Sequence, residues 1–482
     1  MRQSSSTGSS GSIRVRRVHF EAWAFAAFFA LPTGCLETSS AVVALQSDLS
    51  PVTPFARRAL AFDGQPTARA VPNPTGPNAD QALPSFFSDE YWRALADLDL
   101  VASRIIARGE PEVAFTEAVA SLAAGNYEQA ENAFLAMSTQ TTDLTVAGAA
   151  QAMLATTLMQ QHKWAALRDL LVTLPILSAD QPIVLELALW GKAFAGVDPQ
   201  VISFPREPAS LRLEVSALGT PSIRVRINGK EYEFWLDTGS TLTVLSSSVA
   251  ADAGIEALAG EPLSIGTFTG SAPVRPAVLK RMEIGPIVIT NTPAMIMDAS
   301  LLRVRGPSAA GVPWAGLSID GIIGWDTIQH LAISMDFASG TIVLQQPENL
   351  GIRGTSAQNL VWVGKPFVQV RTTLGDTVQF ALDTGAQSTF VNDAVVKKVR
   401  APTSIPGGAR VFGIAATGGQ LVRLVPRLRL EVGGRSLLMR DLIVFTRPPS
   451  GLVESDGILG SNIGRFGTVT IDATNGVFSV GG

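Results

Sequence analysis

The chain has 482 residues, 46% hydrophobic and 16% charged, with 37 Lys and Arg against 41 Asp and Glu. That length predicts about two to four domains, and the apolar share excludes a wholly disordered chain. A formal net charge of −4 gives no global electrostatic case for nucleic acid or an acidic membrane. The single cysteine excludes an intrachain disulfide and a Cys-rich zinc site. Only three histidines are present, far apart at His19, His162 and His330, which leaves carboxylates as the carriers of acid–base chemistry. Neither a metal nor a cofactor is expected.

Residues 1–35 read as a signal peptide. Arg14, Arg16 and Arg17 precede ten unbroken apolar residues at 22–31, then Pro32-Thr33-Gly34-Cys35. Ten residues at 1.5 Å rise are too few to cross a bilayer core, so this is a short apolar region behind a basic one. Gly34-Cys35 resembles a bacterial lipobox, whose cysteine is lipidated. That resemblance makes Cys35 the candidate lipidation site and implies a membrane tether through the N-terminus. The other reading is an incidental thiol on an ordinary cleaved signal. Either way the chain is expected to be exported, to the periplasm or cell envelope. Residues 36–85, rich in Ser, Thr, Pro, Ala and Asp, read as a flexible linker.

Residues 86–205 read as an α-helical domain. Small and apolar residues recur every three or four positions, with turns at Gly125-Asn126-Tyr127 and His162-Lys163-Trp164. The spacing of 37 residues between Gly125 and His162 resembles tetratricopeptide helix pairs. This implies a protein- or peptide-docking groove; the competing reading is a plain helical cap on the next domain.

The texture then changes to short Val/Ile/Leu/Phe runs separated by Gly, Pro and Asn, an all-β signature. The segment repeats. Phe234-Trp235-Leu236-Asp237-Thr238-Gly239-Ser240 returns as Phe380-Ala381-Leu382-Asp383-Thr384-Gly385-Ala386. Thr243 and Thr389 each follow their Asp by six residues. Glu283-Ile284-Gly285 returns as Glu431-Val432-Gly433, and Asp320-Gly321-Ile322-Ile323-Gly324 as Asp456-Gly457-Ile458-Leu459-Gly460. Each copy closes with a hairpin, at 336–340 and 472–476. The matched landmarks give a first lobe at 209–347, an interlobe linker at 348–359 and a second lobe at 360–482.

A strand delivers each aspartate to its end, and the glycine after it permits a tight turn. If the lobes pack about a pseudo-two-fold axis, the two turns meet, and the Thr238 and Thr384 hydroxyls can bond across to the partner turn. Two carboxyls held that close cannot both ionise, so their pKa values split. One then takes a proton from a bridging water while the other donates to a substrate carbonyl.

These doubled motifs resemble the bilobal aspartic peptidases. The chain is similar to pepsins in its two fused lobes, and each lobe is more similar to a retropepsin. The resemblance covers about residues 209–482. It implies a mainly β fold, two retropepsin-like β-barrel lobes in tandem forming a pepsin-like unit, preceded by the tetratricopeptide-like helical domain. It implies that Asp237 and Asp383 are catalytic, that Thr238, Gly239, Ser240, Thr384, Gly385 and Ala386 support the active-site turns, and that the substrate is a peptide or protein. The flap tyrosine of pepsins has no counterpart, since the three tyrosines all precede Asp237. Glycine-bounded segments at 266–270 and 413–419 take plausible flap positions, with Thr267, Phe268, Ala415 and Thr417 as flap candidates. Asp326 and His330 read as helix-surface or capping residues with no counterpart in 461–466. The arginines at 410, 423, 427, 429, 435 and 440 read as a solvated strand face, or else a basic rim for an acidic substrate or membrane. The alternative to an enzyme is a catalytically silent peptide- or glycan-binding scaffold that uses the helical repeats and the cleft.

Overall fold

The computed structural model describes residues 88–140, 144–173, 182–267, 270–304, 317–355, 357–403, 410–411, 420–445, 453 and 455–481. The expected signal peptide with Cys35, the linker at 36–85, and flap candidates Phe268, Ala415 and Thr417 lie outside them.

The helical segment comes first. Its helices run Asp89–Ala96, Leu100–Ile106, Glu110–Ala123, Tyr127–Gln140, Leu144–Gln160, Trp164–Thr173 and Pro182–Phe194. Local chemistry sets the starts. Ser88 and Asp99 accept from the amides of Tyr91 and Ala102 as N-caps, and the Glu112 carboxylate accepts from the Gly109 amide at 3.1 Å. Two breaks fall at Gly125 (φ +76°) and His162 (φ +53°). Phe115, Phe134, Trp190 and Phe194 are wholly buried between the helices. Tyr91 satisfies its buried hydroxyl by donating to the Glu112 carbonyl at 2.7 Å.

The remainder is mainly β and forms two closed six-stranded barrels in tandem. The first ring consists of Pro221–Ile227, Lys230–Leu236, Thr243–Ser246, Gly270–Ile284, Ile287–Met297 and Gly321–Ile323. The second consists of Pro366–Thr372, Thr377–Leu382, Phe390–Asn392, Arg423–Val432, Arg435–Phe445 and Gly457–Leu459. Closure leaves neither ring with an edge strand. In each ring the strand ending in an aspartate lies parallel to the apolar-apolar-Gly strand: Ile322 opposes Trp235, and Ile458 opposes Ala381. Phe234 and Phe380 lie fully buried beneath those strands, each contributing roughly 1.5–3 kcal/mol of burial. A Cβ at Gly321 or Gly457 would come within 2.4 or 2.3 Å of these rings, so only glycine lets strand and ring pack this closely.

The closing hairpins join the lobes. Ala332–Asp336 pairs with Thr341–Gln345, Thr468–Asp472 pairs with Val477–Gly481, and the two hairpins pair with each other from Ala332↔Asp472 to Met335↔Val469. Ala209–Arg212 completes a five-stranded sheet shared by both copies. The helical segment touches both lobes. Gln160 donates to Gln329 of the first. Gln358, just before the second barrel, donates to the Ala123 carbonyl at 2.9 Å, and Tyr127 meets Trp362 edge-on at 6.3 Å.

Candidate active site

Each aspartate sits where its strand ends. The Asp237 amide donates to the Ile323 carbonyl and the Asp383 amide to the Leu459 carbonyl, both at 3.1 Å. The apolar-apolar-Gly strand therefore holds the backbone from which each carboxyl projects. The turns then fold back on themselves: Gly239 N donates to Asp237 Oδ1 at 2.8 Å, and Ala386 N donates to Asp383 Oδ1 at 2.9 Å.

The threonines lock the two turns together. Thr238 N donates to Thr384 Oγ1 at 3.1 Å, and Thr384 N donates to Thr238 Oγ1 at 3.0 Å. The hydroxyls pass their own protons on, Thr238 to the Leu382 carbonyl at 2.9 Å and Thr384 to the Leu236 carbonyl at 2.6 Å. Both amides and both hydroxyls of the pair are used, and each bond crosses from one lobe to the other. Ser240 spends its hydroxyl locally on the Leu242 carbonyl at 2.8 Å. Its counterpart Ala386 has no hydroxyl to satisfy and buries its methyl with Phe390, Ile443 and Ile458.

This lock brings the carboxyls into mutual contact. Asp237 and Asp383 are both completely buried, and Oδ2 of each receives no hydrogen bond from the surrounding protein. The groups answer one another instead. Asp237 is pushed well above the usual carboxylate range, first by burial and then by the Asp383 charge. Asp383 is also raised by burial, but hydrogen bonds from the Ala386 amide and from Asp237 pull it back. Burial raises both carboxyls, and two carboxyls this close resist ionising together. Such a pair can polarise a water with one carboxylate while the other delivers a proton.

A second layer supports each turn. Thr243 Oγ1 donates to Asp326 at 3.1 Å, and in the second lobe Thr389 Oγ1 donates to Asn462 Oδ1 at 2.7 Å. The amides of Gly324 and Gly460 donate to the same threonine oxygens at 3.4 and 3.2 Å. Asp320 and Asp456 accept from the amides of Glu233 and Gln379 at 3.2 and 2.9 Å, which pins the strand leading to each turn. This corrects the reading of Asp326 as a surface or capping residue without a counterpart. It is 1% exposed, and Asn462 occupies its place in the other lobe. A charged side chain next to Trp325 looks solvated in a linear sequence; the Thr six residues after each aspartate was the available signal.

Burial pushes the Asp326 carboxyl up to about 7 despite the hydroxyls of Thr243 and Thr327. A carboxyl raised on folding stabilises the fold fully below its unfolded pKa near 4 and loses that contribution as pH rises through about 7. Asp326→Asn, which copies the second lobe, is expected to leave Tm unchanged at pH 4 and to raise it by about 2–4 °C at pH 8. Thermal melts at the two pH values check this.

Of the flap candidates, Thr267 ends the strand Leu263–Thr267, where its backbone pairs with Gly270. Among the described residues no group of three His, Cys, Asp or Glu is placed to hold a metal. Sequence reasoning passed over Lys365, which precedes Pro366 as Thr220 precedes Pro221 and acts electrostatically on Asp383.

Residues 223–327 match the family model described as aspartyl protease. In fold, the chain is similar to the aspartic proteinase from Irpex lacteus, with 13% identity and a TM-score of 0.36 over 56% of this chain and 96% of that one. No curated protein matches the sequence. The matched segment runs from within the strand Pro221–Ile227 of the first barrel, through Asp237, to the short helix Trp325–Ile328 that carries Asp326.

Proposed function

We propose that the chain is an aspartic endopeptidase that hydrolyses peptide bonds with a water activated between Asp237 and Asp383. The observation that carries this reading is the pair itself: two buried carboxyls on equivalent turns, both raised by burial, each with an oxygen that no protein donor reaches. The ionised Asp383 takes a proton from water as it attacks the carbonyl, and Asp237 protonates the carbonyl oxygen. The turns, locked by Thr238 and Thr384, keep the carboxyls fixed while the substrate reacts. Asp237, Asp383 and the residues of their turns are the site, with Thr267, Phe268, Ala415 and Thr417 proposed as flap residues above it.

The substrate is proposed to be an extended peptide or protein segment between the lobes. In the same reading the chain is exported to the periplasm or cell envelope and tethered through Cys35, and the helical segment offers a protein-docking surface. The complete burial of both aspartates favours a second reading, a scaffold that binds peptide or glycan in a cleft closed to hydrolysis. Incubation with a degenerate peptide library, read by mass spectrometry, separates the two. New termini that are absent with the Asp383→Ala protein support the peptidase, and binding without new termini supports the scaffold.

A further inference from the structure

The two aspartate turns are locked by matching bonds, but the helical segment lies against only one of the places where the lobes meet beside them. Beside the Asp383 turn, the Thr220 hydroxyl of the first lobe donates to the Gly385 carbonyl at 3.4 Å. A Cβ on the adjacent Gly219 would lie 3.7 Å from Gln387, four residues beyond Asp383. Apart from its chain neighbours, nothing else among the described residues comes within 4 Å of it. Beside the Asp237 turn the lobes exchange roles. Gly364, which stands to Pro366 as Gly219 stands to Pro221, lines a cavity with Thr241, four residues beyond Asp237.

The helical segment closes over this second place. Met159 and Gln160, at the end of the helix Leu144–Gln160, and His162, in the turn after it, line the same cavity as Thr241, Leu242 and Gly364. The wall is firmly held. Met159 and Gln160 are 5% and 8% exposed, and Gln160 donates to Gln329 of the first lobe. Toward the second lobe, Tyr127 meets Trp362 edge-on at 6.3 Å, and the Ala123 carbonyl accepts from Gln358 at 2.9 Å. The His162 ring stacks on Trp164 at 5.2 Å. Beyond the turn, the helix Pro182–Phe194 packs against the strands Leu263–Thr267 and Gly270–Ile284, the hairpin that carries the flap candidate Thr267.

A peptide extended over both carboxyls runs from the Asp237 side to the Asp383 side. At the Asp383 end, the space around Gly219 lets the chain continue. At the Asp237 end it meets close-packed helix, which does not yield to an incoming backbone. We propose that Met159, Gln160 and His162 are specificity-determining residues: they close the cleft at its Asp237 end and limit how many substrate residues fit on that side of the scissile bond. The substrate class is then a peptide whose cleaved bond, though internal, lies near one terminus. This rests on the peptidase reading and narrows it.

The test uses the full chain and one peptide that it cleaves or retains from the degenerate library. The peptide is remade with either flank lengthened one residue at a time by glycine and serine. Lengthening one flank should leave kcat/KM unchanged. Lengthening the other past a fixed number of residues should lower it by about 10–100-fold, the cost of forcing extra groups into a packed wall. The same series titrated against the Asp383→Ala protein reads the limit as Kd, without turnover. In His162→Gly, whose φ of +53° glycine adopts freely, the penalty should shrink by about threefold or more. Met159→Ala takes its place if that chain does not fold. Equal tolerance of both flanks, or an unchanged penalty in the folded wall variant, overturns the proposal. One-sided binding without cleavage refutes the peptidase reading and sustains the closed end. Failure to bind any peptide of the series overturns both.

Discussion

Replacing either Asp237 or Asp383 by alanine is expected to reduce peptide hydrolysis at least about 10³-fold, to the level of a heat-treated control. The loss should be the same for both single variants and no larger for the double variant, because the carboxyls act as one unit. One half of the pair can activate water or protonate the carbonyl oxygen, but not both. Folding should survive. Both carboxyls are raised by burial and each has an oxygen without a protein donor, so neither is a net contributor to stability at neutral pH. Initial rates on a cleaved peptide, with thermal melts of the same preparations, measure the two effects together. Cleavage retained by either folded variant would remove the two-carboxyl mechanism.

Gly385→Ala is expected to lose about 10²-fold or more in kcat although it alters no titratable group. A Cβ at this position would lie 2.4 Å from both Cγ and Oδ2 of Asp237, closer than real Cβ atoms come to any neighbour. Neither side can yield easily. The turn is locked by Thr384 to the opposite lobe, and the Asp237 carboxyl is tied to the Gly239 amide. The carboxyl must therefore turn out of the contact with Asp383 that defines the site. Overpacking of this kind also lowers stability by about 1–3 kcal/mol. Gly196→Ala is the matching control, since no atom lies within 4 Å of its added Cβ, and should leave both rate and Tm unchanged. Comparable kcat in Gly385→Ala and the unmodified chain would mean that the Asp237 carboxyl position is not used in turnover.

Much of the architecture was legible because its signals are local and occur twice. The apolar-apolar-Asp-Thr-Gly run needs a strand for its apolar residues and a tight turn at its glycine, and the Asp-Gly-apolar-apolar-Gly run needs small residues where strand meets ring. Finding each twice, in the same order, marks a duplicated domain, and the resemblance to the bilobal aspartic peptidases implied that each copy is a barrel. The breaks at Gly125 and His162 were readable for a similar reason, as interruptions of a helical period.

Other features were not legible, because they depend on what comes near in space. Asp326 reads as a solvated helix residue until the Thr243 hydroxyl and the barrel wall close over it. The Gln160–Gln329 contact joins residues 169 positions apart, and neither side chain signals the other.

By itself the sequence determined the strand ends, the turn glycines, the doubled aspartates and the helical segment before them, since each follows from residue size, φ freedom and apolar period. Only the tertiary structure decided that the closing hairpins pair edge to edge, that the threonines exchange bonds between the two turns, and that both carboxyls are buried together. Those outcomes depend on desolvation and on distances of a few ångströms between residues 146 positions apart, which no local pattern encodes.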